Sequence, residues 1–442
     1  MASALTPVLE SSAAAAISAV GLPRDWRVVE LGDLFDIQQG KALAPEHREG
    51  KNPRPFLRTA NVLWGSLDLS HLDQMDFTHE ETKRFELKQG DLLVCEGGDV
   101  GRTAIWDGQV EWCLHQNHVH RLRTTRADVL PEFYMYWMQS AVEFLGIYGG
   151  AENRTTIPNL SKGRLSRFFV PLPPLVEQVG IAETLQSIRS AAVATDKVAA
   201  AARDLKRSMM QHVFTYGPVP ADRAEDVQIS ETAIGRLPAN WSVVRLRDAF
   251  ETQLGKMLSE KARANTADQQ VYLRNKSVQW GRVDVDDLFK MSFDERERKK
   301  FKLEPGDLLI CEGGEPGRAA LWRGELEECY YQKALHRVRP RDRSITNEFL
   351  AHWLEFAFRF QNLYAMGASS TIQHLPQVLL EQLLIPSPPR LDQDAICVIL
   401  SEVDEKIRRE SRVSDALARL YRTLLVELTT GRRRIISSPR AA

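Results

Sequence analysis

The sequence has few cysteines, no excess of basic residues and no long apolar run. None of its five cysteines has the close pairing that zinc and redox motifs require, and the odd number fits reduced thiols. A formal net charge of −1 at pH 7 excludes a strongly basic protein, so any DNA-binding face would need segregated basic residues. The Ala/Ser-rich stretch 11–20 is too short to span a membrane and lacks the basic flank of a signal peptide. We therefore predict a cytoplasmic protein with no membrane contact.

One internal repeat organises the chain. At 442 residues the chain is longer than a single hydrophobic core usually grows, which predicts at least two domains. Residues 90–98 (GDLLVCEGG) recur as residues 306–314 (GDLLICEGG), and Trp26 matches Trp241. The offset of 215 to 216 residues is that of a whole domain with its connector, far longer than a solenoid repeat. The sequence therefore predicts two similar heads.

Each head is expected to combine strands with helices. Short aliphatic runs bounded by Gly or Asp, such as 91–95 and 119–122, predict strands. Residues 131–144 and 347–363 instead space their apolar side chains by three and four, which is typical of helices. The predicted fold class of both heads is therefore α+β.

A long helix is predicted after each head. The Pro-rich stretches 171–174 and 386–389 each precede apolar residues in a heptad-like pattern. The predicted seam comprises Ile181, Leu185 and Ile188 in the first helix and Ile396, Leu400, Val403 and Ile407 in the second. With roughly 35 to 40 residues each, these helices would be about 50 to 60 Å long, which indicates spacers. The alternative is that each helix packs only on its own head.

These patterns divide the chain into seven segments. They are a disordered N-terminal extension (1–21), a first head (22–175), a first spacer helix (176–216), a linker (217–236), a second head (237–390), a second spacer helix (391–430) and a basic tail (431–442).

Motifs of common enzyme sites are missing from this sequence. There is no P-loop, no evident methyl-donor pocket and no histidine spacing typical of a zinc site. Glu96 and Asp91 lie close together, but the run 95–101 offers no lysine of the kind a metal-dependent nuclease would want. We therefore predict no catalytic residue, no metal site and no cofactor bound by this chain.

The repeated motifs stand in one order in both halves. The order in the first half is Trp26, Gly40-Lys41, GDLLV from Gly90, Gly101-Arg102, Gln116 with His120-Arg121, TIPNL from Thr156, PLPPLVEQ from Pro171, and then the long helix. This order, over about residues 22–430, resembles that of specificity subunits of type I restriction-modification systems.

The resemblance implies a non-catalytic DNA-binding subunit. Each head would be a target-recognition domain for one half of a bipartite sequence in double-stranded DNA, and the helices would form an antiparallel coiled coil. Two adenine methyltransferase subunits and ATP-driven endonuclease/translocase subunits would be the partners, using S-adenosylmethionine, ATP and Mg. Paired helices would suit half-sites about one helical turn apart, some 34 to 36 Å.

Candidate DNA-contacting residues lie in matched turns of the two heads. Gly-Lys turns expose an ammonium to phosphate, Arg suits guanine and Asn adenine, and Ser/Thr loops bind phosphate oxygens. The candidates in the first head are Lys41, Arg58, Asn61, His115, Asn117, Arg154, Thr155 and Thr156. Those in the second head are Lys256, Arg274, Asn275, Lys276, Lys333, Ser369, Ser370 and Thr371. A structural role, such as an ion pair or ordinary turn chemistry, stays open for all of them.

Two other functions compete with DNA recognition. One is a scaffold whose coiled coil bridges enzymes while the heads bind protein, and the other is an autonomous nuclease or methyltransferase. Salt separates the first from DNA binding, because contacts to phosphates weaken steeply as salt rises. The missing enzyme motifs count against the second.

Overall fold

The computed structural model divides into two compact units, residues 1–195 with 412–442 and residues 196–411. The structure describes Ile17 and residues 20–43, 52–148, 160–258, 269–364 and 374–435. Each unit contains one head, the first part of one long helix and the last part of the other. The two heads therefore fold around separate cores.

The first head consists of short strands and helices. Its strands are β1 (Arg27–Glu30), β2 (Asp36–Gln39), β3 (Pro53–Leu57), β4 (Val62–Leu63), β5 (Ser66–Leu67), β6 (Asp73–Asp76), β7 (Asp91–Cys95), β8 (Thr103–Trp106), β9 (Leu114–His115), β10 (Val119–Arg123) and β11 (Phe169–Leu172). Its helices are α1 (His79–Phe85), α2 (Pro131–Gln139) and α3 (Lys162–Ser166), and the long helix α4 (Leu175–Tyr216) follows. A π-helical turn, Ser140–Phe144, extends α2.

The central sheet of the first head is antiparallel, in the order β2-β10-β7-β8. Side chains alternate between the two faces along each strand, and a buried core covers each face. Leu92 and Val94 of β7 belong to the core that contains α2, whereas Leu93 and Cys95 belong to the core on the other face. A second sheet has the order β6-β3-β9.

The second head repeats these elements. Its strands, after the hairpin of β12 (Ile229–Thr232) and β13 (Gly235–Pro238), are β14 (Ser242–Arg245), β15 (Phe250–Leu254), β16 (Gln269–Leu273), β17 (Val278–Gln279), β18 (Arg282–Val283), β19 (Phe289–Ser292), β20 (Leu308–Cys311), β21 (Ala319–Leu321), β22 (Tyr330–Tyr331), β23 (Leu335–Pro340) and β24 (Leu384–Ser387). Its helices are α5 (Leu246–Ala249), α6 (Glu295–Phe301), α7 (Asn347–Leu354) and α8 (Gln377–Gln382), and the long helix α9 (Arg390–Thr429) follows. The π-helical turn Glu355–Phe360 extends α7.

The sheets of the two heads have the same topology. The order β15-β23-β20-β21 matches β2-β10-β7-β8, and β19-β16-β22 matches β6-β3-β9. The terminal pairs β1-β11 and β14-β24 also correspond. The prediction of two duplicated α+β heads is therefore confirmed.

In the first unit, both long helices pack on the first head. Ile181 and Leu185 near the start of α4 share a buried core with Leu425 and Leu428 near the end of α9. Because the beginning of one helix lies beside the end of the other, the two helices run antiparallel there.

The second unit has the converse arrangement. Val213 and Phe214 near the end of α4 share a buried core with Ile396 and Leu400 near the start of α9. Each head thus packs on both helices, which rules out the alternative that each helix packs only on its own head. The remaining predicted seam residues, Ile188, Val403 and Ile407, are half-buried. No helix in the described part of the chain is long and apolar enough to cross a membrane.

A buried ionic cluster joins the two helices to the head in the second unit. The Lys206 Nζ atom of α4 lies 2.5 Å from a carboxylate oxygen of Glu355 in the head and 2.7 Å from one of Asp404 on α9. The side chains of Lys206 and Glu355 are only 7% and 6% exposed. Arg359 also pairs with Glu355, at 3.0 Å.

The equivalent junction in the first unit contains tyrosines. The Tyr421 hydroxyl of α9 donates to Gln139 Oε1 at 2.7 Å, and the Tyr136 hydroxyl donates to Gln186 Oε1 of α4 at 2.9 Å. The two tyrosine rings meet edge to face at 6.5 Å. Under the repeat offset, Tyr421 corresponds to Lys206 and Gln139 to Glu355.

Two of the predicted segments contain ordered structure. The stretch 217–236, predicted as a linker, contains the 3-10 helix Ala221–Asp226, all of β12 and the first residues of β13. Ile17, predicted to lie in a disordered extension, is 2% exposed within the core of the first unit because its apolar side chain packs there.

The residues predicted as a basic tail begin with an ordered ion cluster. The Arg434 guanidinium binds the carboxylates of Glu177 and Asp25 and lies over the Trp26 ring. These carboxylates raise the pKa of Arg434 through hydrogen bonds. Arg434 therefore anchors the chain after α9 to the first head, and does not belong to a free basic tail.

Candidate functional site

Four turns of the first head meet at one end of its central sheet. They are residues 39–41, 58–61, 96–98 and 116–118, which we call the first loop cluster. The Glu96 N–H donates to the His118 carbonyl at 2.8 Å, and the Asn117 N–H donates to the Lys41 carbonyl at 2.8 Å. The Gln116 N–H donates to the Leu57 carbonyl at 2.9 Å. Backbone bonds thus fix the relative positions of these turns.

The second loop cluster, residues 254–256, 274–277, 312–314 and 332–334, has the same backbone bonds. The N–H groups of Glu312 and Lys333 donate to the carbonyls of Ala334 and Lys256, at 2.9 and 2.7 Å. Since neighbouring strand ends bring several loops together in both heads, each cluster is a candidate binding surface.

The loop before α3 rejoins the first cluster at Leu160. The Leu160 N–H donates to the Glu96 carbonyl at 2.9 Å, and the His120 Nε2 atom lies 2.8 Å from the Leu160 carbonyl oxygen. Burial lowers the pKa of His120, so a neutral ring donates this bond.

Leu375 of the second head has the matching contacts, with Glu312 at 2.6 Å and with His336 at 2.9 Å. In both heads, the same hydrogen bonds therefore hold the chain where it leaves the equivalent loop, which precedes α3 in the first head and α8 in the second. The predicted contacts in those two loops lie outside the described residues: Arg154, Thr155, Thr156, Ser369, Ser370 and Thr371.

The recurrence of Gly-Lys in both heads has a structural cause. The Lys41 ammonium donates to Glu81 at 2.7 Å and to the Asp76 carbonyl at 2.8 Å, and it lies over the Phe77 ring. Lys41 is only 7% exposed. These contacts occupy two of its three donors and hold it inside the head, so they argue against the phosphate contact of Lys41, which stays a prediction.

Lys256 repeats the arrangement in the second head. Its ammonium lies 2.5 Å from Glu297 and 2.6 Å from the Ser292 carbonyl oxygen. The preceding Gly255 is needed because an added Cβ would overlap the carbonyl group of Gln332. Lys256 is therefore also held inside its head, which argues against its phosphate contact, and that contact stays a prediction.

Arg58 and Asn61 of the first head differ in availability. Asn61 is buried and bridges its turn, accepting from the Arg58 N–H at 2.9 Å and donating to the carbonyls of Asp68 and His71. These internal bonds argue against its base contact, which stays a prediction. Arg58 pairs with Asp73 at 3.1 Å but is 38% exposed, so its DNA contact stays a prediction.

In the second head, Arg274 and Lys276 share one carboxylate. Asp287 lies 2.9 Å from the Arg274 guanidinium and 3.4 Å from the Lys276 ammonium. Arg274 also stacks over the Phe289 ring, with the guanidinium carbon 3.8 Å from the ring centroid. Exposed pairs of this kind are weak. A phosphate could displace Asp287 from Lys276, which is 79% exposed, so both contacts stay predictions.

Asn275 has an internal role. Its amide donates to the Gly313 carbonyl at 2.5 Å, and its backbone carbonyl accepts from Arg318 at 3.0 Å. These bonds tie the turn at 274–277 to the turn at 312–314. These internal bonds argue against the base contact of Asn275, which stays a prediction.

His115 is buried behind the first loop cluster. Its ring nitrogens lie 3.0 Å from the Phe85 carbonyl oxygen and 3.2 Å from that of Gln38. Burial lowers the pKa of His115 to about 4, so the ring is neutral at pH 7. A side chain with no exposed surface does not reach a base in this conformation, which argues against the DNA contact of His115, and that contact stays a prediction.

Tyr331 occupies the matching position in the second head, with its hydroxyl 3.3 Å from the Gln253 carbonyl oxygen. We expect His115→Tyr to reduce acid sensitivity. Between pH 6.5 and about 4 the unfolded chain binds a proton that buried His115 does not, so stability falls as pH falls. This loss is about 2–3 kcal/mol near pH 4.5.

Urea unfolding at pH 7 and 4.5 measures the effect. The variant should lose less stability between the two pH values than the unmodified chain, whereas substitution of exposed His79 by Gln should change nothing. An equal loss in His115→Tyr would contradict the assignment.

Asn117 and Lys333 occupy equivalent positions in the two clusters. The Asn117 side chain is half-buried and the Lys333 side chain is exposed. Over the described parts of both heads, neither side chain has a hydrogen-bond or ion-pair partner. Both therefore stay predicted DNA contacts, and they are available for one.

The Gly-Asp pair before the central strand is also structural. Asp91, 1% exposed, receives two hydrogen bonds from Arg123, at 2.6 and 2.7 Å, and one from the Lys88 N–H at 2.6 Å. Asp307 and Arg339 repeat this pair in the second head. Since Asp91 is committed to Arg123, it is not an acid available for catalysis.

Two further cluster residues were not predicted from the sequence. His118 is 51% exposed, and its Nδ1 atom lies 4.0 Å from buried Glu96. Gln39 donates to Glu96 at 2.8 Å and to the Asn117 carbonyl at 3.1 Å. Their matches in the second head are Ala334 and Leu254, and this difference between the heads was the available signal. Within the described ranges, no group of three His, Cys, Asp or Glu could hold a metal ion.

Two similar heads, each presenting a cluster of loops and joined by antiparallel helices, define a two-headed recognition protein. The profile of the family described as "Type I restriction modification DNA specificity domain" matches residues 23–197 and again residues 238–419. The chain belongs to this family and contains two copies of its domain. It is accordingly a DNA specificity component, not a catalytic one.

Relatives named as specificity subunits match most of the chain. It is 22% identical over 429 residues to the putative type I restriction enzyme MjaX specificity subunit of Methanocaldococcus jannaschii, covering 94% of this chain and 95% of the relative. It is also 22% identical to the EcoBI specificity subunit of Escherichia coli, covering 74% and 69%. The crystal structure of the type I restriction-modification S subunit from M. genitalium has the same fold, with TM-score 0.58 and 17% identity over 91% of this chain and 96% of that one.

Proposed function

We propose that the chain reads a bipartite sequence in double-stranded DNA, each head binding one half-site through its loop cluster. The observation that carries this proposal is the pair of clusters with the same backbone bonds and different exposed side chains. A shared frame places each cluster alike on a half-site, and differing side chains let the two half-sites differ.

The proposed partners are two methyltransferase subunits and endonuclease/translocase subunits of a type I restriction-modification complex. Those subunits would use S-adenosylmethionine, ATP and Mg, and this chain would bind none of them. The proposed compartment is the cytoplasm, where the buried free cysteines would stay reduced. The paired helices α4 and α9 would fix the gap between the half-sites.

Head exchange tests this proposal. The chain is co-expressed with the methyltransferase subunit, and methylated adenines are mapped by single-molecule sequencing. We expect methylation at one split motif of fixed gap, lost without this chain, and changed on one side only when one head is replaced by that of a relative.

An assembled, active methyltransferase with a motif unchanged by either exchange would contradict DNA recognition. Binding of the complex to a duplex containing the motif should also fall with salt, log affinity decreasing by about 0.9 per phosphate contact for each unit of log salt. Indifference to salt would favour the protein scaffold.

A further inference from the structure

Position 117 of the first head and position 333 of the second differ from the other predicted contacts. Lys41, Lys256, Asn61, Asn275 and His115 are held by internal bonds, and Arg58, Arg274 and Lys276 pair with carboxylates. The side chains of Asn117 and Lys333 are the predicted contacts without such a partner among the residues that the structure describes. No contact within the described residues therefore explains why one of these side chains is an amide and the other an ammonium.

The backbone holds both residues in the same way. The Asn117 N–H donates to the Lys41 carbonyl at 2.8 Å, and the Lys333 N–H donates to the Lys256 carbonyl at 2.7 Å. In the first head, the Val119 N–H closes the turn by donating to the Gln116 carbonyl at 2.9 Å, and the second head has the equivalent bond. The two side chains thus leave equivalent points of the two clusters.

We infer that this position reads a base in each half-site: Asn117 an adenine and Lys333 a guanine. An amide both donates and accepts, which matches N6 and N7 of adenine in the major groove. An ammonium only donates, which matches O6 and N7 of guanine. The inference rests on the proposed function and adds which residue distinguishes the half-sites at their equivalent base pair.

Single exchange is the sharpest test, because each residue already exists at the equivalent point of the other head. Asn117→Lys should change one position of the first half-site from adenine to guanine, and Lys333→Asn should change one position of the second from guanine to adenine. The gap and the other half-site should stay the same. Exchange of the next residue is avoided because Ala334 has a φ of 132°, which a larger side chain would adopt only with strain.

The assay uses the complete chain with its methyltransferase partner and maps methylated adenines. Gln89→Lys is the matched control, since it adds the same charge to an exposed site at the opposite end of β7. The control should leave the motif unchanged. If Asn117→Lys abolishes methylation, Asn117→Ala decides: it should lower the preference for adenine at one position roughly ten- to a hundred-fold while methylation persists.

Each outcome bears on the inference. A motif unchanged in Asn117→Lys and Lys333→Asn, in a complex where head exchange does change the motif, would overturn the inference and leave DNA recognition by the heads intact. A motif that responds neither to these substitutions nor to head exchange would overturn the proposed function itself. If Asn117→Ala stays active and its preference for adenine does not fall, that result would also overturn the inference.

Discussion

Lys206→Met is expected to destabilise the second unit by about 3–5 kcal/mol. Lys206 is the cation between Glu355 and Asp404, at 2.5 and 2.7 Å, and its side chain is 7% exposed. Methionine fills a similar volume but leaves Asp404 without this cation and Glu355 with Arg359 alone. Removing one partner from a buried ion pair is costly because the remaining charge stays out of water.

Urea unfolding of the full chain measures this loss, with hydrogen exchange of 200–214 reporting on the second unit. Lys197→Met is the matched control, because Lys197 is exposed on the same helix and in the same unit. Neutralising the cluster as a whole, with Lys206→Met, Glu355→Gln and Asp404→Asn together, should recover much of the stability. A loss below 1 kcal/mol for Lys206→Met alone would show that the cluster contributes little.

Arg123→Met is expected to cost about 3–5 kcal/mol, and more than Asp91→Asn. The pair is asymmetric: the Asp91 side chain is 1% exposed, whereas that of Arg123 is 28% exposed. Loss of the arginine leaves a buried carboxylate with one N–H donor, from Lys88. Loss of the carboxylate charge leaves a guanidinium that water can reach, so its cost is smaller.

The order of the two losses is the informative result, measured by urea unfolding of both variants. Arg24→Met serves as the control because Arg24 is exposed on the first head. Equal losses, or a larger loss for Asp91→Asn, would contradict the argument from burial.

The architecture could be predicted from the sequence because each motif occurs twice, once in each head. Gly90-Asp91 and Gly306-Asp307 mark the same strand in two heads, and one heptad-like helix follows each head. Segment boundaries were harder to predict. The hairpin of β12 and β13 lies in a polar stretch whose alternation is short, and Ile17 packs into a core formed by residues distant in the sequence.

The site was harder to predict because hydrogen-bond and ion-pair partners distant in the sequence decide which side chains are free to bind DNA. Lys41 looked available, but Glu81 lies 2.7 Å from its ammonium after forty residues of chain. The repeat contained the missing signal. Lys41 and Lys256 are identical and hold the common frame in both heads, whereas Asn117 and Lys333 occupy equivalent positions and differ, as residues that read two different half-sites would.

The junctions between the long helices and the head differ in chemistry between the two units. If the last part of α4 exchanged places with the last part of α9, Lys206 would replace Tyr421 beside Gln139, close to the cationic Arg189, whose position corresponds to that of Asp404. Tyr421 would in turn lie between Glu355 and Asp404, which would leave Asp404 without Lys206 and Glu355 with Arg359 alone. The two junctions are therefore not interchangeable, and each one favours the helix segments that pack on it in this structure.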